Sequence, residues 1–140
     1  MVLLFWARYL RPVINGIVCD LNNGNGTFAP AALMDTSFGD GVNGWGHVRY
    51  GTTVMFADIN HDSKADVCGR GPEGIWCELS TGKVFAGPRF LAQGDFSDAN
   101  GWNQAAYYGS IRFADVNGDG KPDICGRGAA GIYCAVNLTR

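Results

Sequence analysis

Apolar side chains recur at alternate positions over short stretches of this chain, and nowhere do they keep the spacing of an amphipathic helix for roughly ten or more residues. Val54 and Phe56 alternate with other side chains, as do Ile111 and Phe113. Val67-Cys68 and Ile124-Cys125 begin second runs, and Ile75–Leu79 alternates again. Arg89–Ala92 follows a Gly-Pro turn and has Ala31–Met34 as its counterpart. Period two over a few residues, punctuated by Gly, Asn and Pro, predicts half-buried strands joined by tight turns. The expected fold class is all-β.

The same series of runs comes more than once. Asn43–Cys77 aligns with Asn100–Cys134 without a gap, with 18 of 35 residues identical at an offset of 57. Gly16–Phe28 matches Gly74–Phe85 with one residue inserted in the turn. Four strands per unit of this length predict the blades of a β-propeller. The boundaries are then an atypical N-terminal segment at 1–15, a partial blade at 16–42, a complete blade at 43–99 and an incomplete blade, lacking its last strand, at 100–140. Gly69–Gly74 and Gly126–Gly131 both match G-x-G-x-x-G. A dinucleotide site needs a helix opening at the last glycines, whereas a strand is expected here, so both segments read as hairpin turns.

Composition narrows the class. The 140 residues are 46% hydrophobic and 17% charged, which suits one packed domain and not a disordered chain. The 11 Lys and Arg residues are scattered and the net charge is −2, so nucleic acid is not an expected partner. No apolar run has the roughly 18 residues of a membrane-spanning helix. Met1–Ile14 starts apolar but carries Arg8 and Arg11 after its short hydrophobic run and has no small-residue cleavage site, so it is not read as a signal peptide.

The most informative spacing is Asp115-x-Asn117-x-Asp119-Gly120-Lys121-Pro122-Asp123, echoed by Asp58-x-Asn60-x-Asp62-Ser63-Lys64-Ala65-Asp66. Side-chain oxygens at the first, third, fifth and ninth positions, with the main-chain carbonyl of Lys64 or Lys121 at the seventh, suit a hard cation that takes six to eight oxygens. Ca2+ is the expected cofactor. Gly69 and Gly126 stand where an EF-hand needs Glu, so the loops are not EF-hands. Asx-turns without metal are the alternative for the same residues. Ser63 replaces Gly120, and His61 replaces Gly118, at positions where positive φ is expected, a cost of about 1 kcal/mol in the first loop.

On these residues the chain resembles a known family. FADVNGDGKPD and FADINHDSKAD are similar to FG-GAP (VCBS-type) repeats, the calcium-loop blades of integrin-like β-propellers, and Phe85-Ala86-Gly87-Pro88 echoes the name motif. The resemblance spans Gly16–Asn137 and implies a ring of six or seven blades. This chain would supply about two and a half of them. Other blades or chains are therefore expected to complete the ring, through a longer protein or an oligomer.

Of the five cysteines, Cys68 and Cys77 are nine residues apart, as are Cys125 and Cys134, while Cys19 is left over. Counting inward pairs Gly69 with Trp76, Arg70 with Ile75 and Gly71 with Gly74, which sets the cysteines face to face across a hairpin. Two disulfides, each adding roughly 2.5–3 kcal/mol on the chain-entropy model, are expected, with buried thiols as the alternative. Disulfides and calcium loops together suggest an extracellular, secreted setting.

Gly44-Trp45 and Gly101-Trp102 precede Tyr50 and Tyr107-Tyr108, with Asn100 and other amides beside them. Aromatic rings stack on the C–H face of a pyranose and amides bond its hydroxyls, so Trp45, Tyr50, Asn100, Trp102, Tyr107 and Tyr108 are candidate sugar-binding residues. The tryptophans would equally serve as wedges between units. The combination of these loops with the acidic loops also resembles the fungal propeller lectins of the Psathyrella type, which implies glycans of the N-acetylglucosamine class as partners. His47 and His61 do not recur in the repeat and no nucleophile with its base can be named, so no enzyme is expected. A calcium-stabilised, lectin-like carbohydrate-binding module is the leading expectation. An extracellular adhesion or protein-interaction module, or the accessory propeller part of a secreted hydrolase, is the alternative.

Overall fold

The computed structural model of the chain describes residues 12–13 and 15–139. Most of the segment expected to be atypical at 1–15 thus lies outside the described residues. Among the described residues the architecture is all-β and antiparallel, in three sheets that follow one another along the chain. The first sheet comprises β1 (Pro12–Val13), β2 (Gly16–Cys19) and β3 (Ala32–Asp35), in that order. Among the described residues, pairing already includes Pro12, ahead of the first recognisable repeat residue at Gly16. A one-turn helix, α1 (Val48–Gly51), leads into the second sheet, β4 (Met55–Ala57), β5 (Asp66–Gly71), β6 (Gly74–Ser80) and β7 (Phe85–Gln93). A second one-turn helix, α2 (Ala105–Tyr108), leads into the third, β8 (Arg112–Ala114), β9 (Asp123–Gly128) and β10 (Gly131–Ala135).

Glycine and cysteine set the register of the central hairpins. Gly71 opposes Gly74 around a Pro72-Glu73 turn, and Cys68 opposes Cys77. Gly74 has φ +135°, and a Cβ there would stand 2.1 Å from the Ala92 carbonyl oxygen, so no side chain fits. Gly16 and Gly131 occupy the same backbone conformation at the start of β2 and β10. Disulfides join Cys68 to Cys77 and Cys125 to Cys134, each pair with Cα atoms 4.1 Å apart. Cys19 is a buried free thiol, whose pKa burial raises.

Alternation along β5 and β6 distributes side chains to two cores. Val67 and Trp76 face Ile17, Met34, Phe38 and Trp45, the side of the first sheet. Cys68, Ile75 and Cys77 face Phe96, Trp102, Ile111 and Ile124, the side of the third. Every residue of β5 is buried in consequence. Removing apolar surface on both faces is what stabilises three small sheets that would be marginal alone.

Candidate functional site

The acidic loops lie between β4 and β5 and between β8 and β9. In the first, the Asp58 carboxylate accepts the N–H groups of Asp62 at 2.9 Å and Ser63 at 2.7 Å, and Asn60 Oδ1 also accepts from Asp62. In the second, Asp115 accepts from Gly118 at 2.7 Å and Gly120 at 2.9 Å, while Asp115 and Asn117 converge on the N–H of Asp119. The oxygens of the first and third positions thus address one point in each loop. His61 has φ +61° and Ser63 φ +68°, close to Gly118 at +78° and Gly120 at +85°, so the first loop holds two side chains in a conformation that suits glycine. The ring of His61 lies 2.8 Å from the Gly120 carbonyl and ties the loops together.

The carboxylates of the ninth position are fully buried. Asp66 accepts the N–H groups of Ile59 and Ser80, and Asp123 those of Val116 and Asn137, which staples each loop to the far end of its hairpin. Burial pushes the Asp66 carboxyl up. In the third sheet, with less protein around it, the amide bonds hold that of Asp123 down. Lys64 bonds to Asp62 with its ammonium at 2.7 Å and holds that carboxyl below its usual range. Among the described residues no three His, Cys, Asp or Glu side chains converge as a metal-binding group.

Two clefts occupy repeat-related places. The second-unit cleft, of 280 Å³, is lined by Asn43, Trp45, Pro72, Glu73, Trp76 and Phe90. The third-unit cleft, of 450 Å³, is lined by the counterparts Asn100, Trp102, Ala129 and Tyr133, together with Asp95, Gln104 and Tyr107. Each therefore combines a rim amide, an indole, a hairpin tip and an aromatic ring from the third strand of its unit.

Trp45 and Trp102 are core residues, 3% and 7% exposed, that also wall these clefts. Each indole lies over a glycine of the neighbouring strand, Gly69 or Gly126, where a Cβ would fall 2.6 or 2.8 Å from the ring. Phe38 and Phe96 pack on them at centroid distances of 4.5 and 4.6 Å. Both indoles thus pack in the cores between neighbouring sheets and also line the clefts. Asn100 and Tyr107 join Trp102 in the third-unit cleft. Tyr50 and Tyr108 line neither cleft. Tyr50 is buried, with its hydroxyl donating to Asp98 at 2.6 Å, and Tyr108 packs against the core between the second and third sheets. Trp76, Tyr133, Phe90 and Glu73 were legible only as strand and turn residues, although the aromatic pair Trp76 and Tyr133 shares one repeat position.

Arg70 organises the segment entering the third unit. Its guanidinium is fully buried and donates to the Phe96 carbonyl at 2.8 Å, to the Arg49 carbonyl at 3.4 Å and to Asp98. It also stands 5.3 Å from the Tyr50 ring centroid. Asn100, two residues beyond Asp98, donates to the Gly94 carbonyl at 2.7 Å, so the cleft rim is held from the second unit.

The geometry defines an all-β repeat protein with a cleft in each of two units. No protein-family model matches the chain, and no curated protein matches it. Among solved structures it is similar to an Agrocybe aegerita lectin described for specific recognition of non-reducing terminal N-acetylglucosamine, with 34% identity and a TM-score of 0.75. The likeness covers 89% of this chain and 30% of that one, so the chain spans less than a third of the lectin's length.

Proposed function

We propose that the chain is part of a carbohydrate-binding β-propeller, with sugars of the N-acetylglucosamine class held in the two repeat-related clefts. The observation that carries this reading is the recurrence, at both clefts, of an amide beside two aromatic rings. Such rings cover the apolar face of a pyranose while the amide bonds its hydroxyls. The lectin likeness supports the ligand class, and the two disulfides fit an extracellular protein. A glycan array of the full chain is expected to give signal on glycans with terminal N-acetylglucosamine, and a blank array overturns the reading.

The propeller is completed by further blades in this reading. The face of β10 that would meet the next blade exposes Ile132 to 72%, whereas its counterpart Ile75 is 1% exposed beneath the third unit. Calcium belongs to the same proposal. The donor set is hard oxygen throughout, from Asp58, Asn60, Asp62 and Asp66 and from Asp115, Asn117, Asp119 and Asp123, with the carbonyls of Lys64 and Lys121. Each carboxylate oxygen engaged by an amide keeps a second lone pair for a cation. Bound calcium would neutralise the clustered carboxylates and raise the stability of the folded chain. Thermal melts with calcium and with chelator are expected to differ, and Asp119→Ala to shrink the difference more than Asp62→Ala. Identical melts rule the metal out.

A further inference from the structure

The two clefts differ where the repeat changes. The hairpin tip is Pro72-Glu73 in the second unit and Ala129-Ala130 in the third. Glu73 is exposed, and its carboxylate makes no ion pair among the described residues. Its own carbonyl accepts the Gly94 N–H at 2.8 Å, which fixes the tip against the segment after β7. Trp45, Trp76 and Phe90 share the cleft with it, and Trp76 stands edge-on to Phe90 at 4.9 Å. None of the lining residues carries a positive charge. The third-unit cleft has an acid as well, Asp95, but on the segment after β7, so the clefts share no acidic position.

A free carboxylate beside aromatic rings in a cleft of 280 Å³ is the chemistry that holds an organic cation. The ring quadrupoles attract the positive charge, and the carboxylate is its counter-ion. We propose that the second-unit cleft binds a protonated primary amine carried on a sugar ring, as in a hexosamine that has lost its acetyl group, with Glu73 facing the ammonium. This inference rests on the carbohydrate reading above. The acid of the third-unit cleft, Asp95, stands on a different segment, and Ala130 offers no charge at the tip, so Glu73→Gln alters the second cleft alone.

The test is an NMR titration of the full chain with methyl β-glucosaminide and with its N-acetyl form. The indole N–H of Trp76 reports on the second-unit cleft and that of Trp102 on the third. The amine sugar is expected to move Trp76 with an affinity that falls about fivefold in Glu73→Gln, or when the pH is raised until the amine is neutral. The N-acetyl sugar at Trp102 should be unaffected by either change. The inference is overturned if the amine sugar leaves Trp76 unmoved or binds Glu73→Gln equally well. A response of Trp102 to the N-acetyl sugar with Trp76 silent leaves the carbohydrate reading standing and removes this one. Silence of every indole to both sugars removes both.

Discussion

The second and third units share their motifs and backbone plan yet differ in what covers them. In the second, Arg70 donates its N–H to Thr53 Oγ1 at 2.8 Å and buries its guanidinium against Asp98 and the Phe96 carbonyl. In the third, Arg127 makes the same 2.8 Å main-chain bond to Ser110 Oγ, but its side chain is exposed. Ile75 and Cys77 of β6 are buried, whereas their counterparts Ile132 and Cys134 of β10 are exposed. The repeat sequence encodes local register in both units, while packing against a neighbouring sheet decides how much of each is buried.

That contrast can be broken most severely at the arginines. Arg70→Ala strands the Phe96 carbonyl and takes one partner from the Asp98 carboxylate, which keeps the Tyr50 hydroxyl, and should cost about 3 kcal/mol. Arg127→Ala should stay within about 0.5 kcal/mol, as exposed substitutions do. Chemical denaturation of both variants measures the difference, and equal losses would erase the distinction between the units.

The disulfides sharpen it next. Removing either should cost about 2.5–3 kcal/mol on the chain-entropy model. Their accessibility differs, because Cys68 and Cys77 are fully buried while Cys134 is exposed. Timed reduction followed by alkylation and peptide mapping should open Cys125–Cys134 first. Simultaneous opening would indicate that the second hairpin is no better protected than the third.

A smaller effect is expected in the acidic loops. Ser63→Gly relieves a residue at φ +68° and should stabilise the chain by about 1 kcal/mol, whereas Gly120→Ser should destabilise it by a similar amount. Paired thermal melts read both signs, and matching shifts in one direction would contradict the loop geometry.

The smallest is a pH effect confined to the contact between the first and second units. Glu78 is buried beside Asp35, and its carboxyl is pushed up chiefly by burial and further by that neighbouring acid. The third unit has Ala135 at this position. A raised folded-state pKa means that the protonated form supports the fold, so the contribution is present at low pH and lost as pH rises through the folded value. Glu78→Gln should therefore gain stability relative to the parent as pH increases. A stability difference independent of pH would show that Glu78 keeps an ordinary pKa.

Much of this fold could be read from the residues alone. The pairing of Gly69 with Trp76, Arg70 with Ile75 and Gly71 with Gly74, counted inward from the cysteines, is the observed register. It was legible because directly opposed cysteines and paired glycines leave one way to close a two-residue turn. The one-turn helices were not legible, since four residues carry no periodicity. Side-chain destinations set by distant residues were also hidden. Trp45 is placed by Gly69, and Arg70 by Asp98, 28 positions further on. Tyr50 looked like a ligand-facing ring because nothing near it in the chain reveals the carboxylate that takes its hydroxyl. The partner ring of each cleft, Trp76 or Tyr133, was concealed in an alternating strand, where an aromatic is equally expected to pack.

Carbohydrate recognition in the clefts is tested most directly by calorimetric titration of the full chain with a methyl N-acetylglucosaminide, beside the variant Tyr133→Ala. Tyr133 is half exposed on β10 and stands edge-on to Trp102 at 6.2 Å, so its removal alters the cleft at the cost of one aromatic contact. The account predicts saturable binding by the parent chain and weakened binding by the variant, which still unfolds in one cooperative transition with a loss of about 1 kcal/mol. Absence of binding, or binding equally strong in Tyr133→Ala, would contradict it.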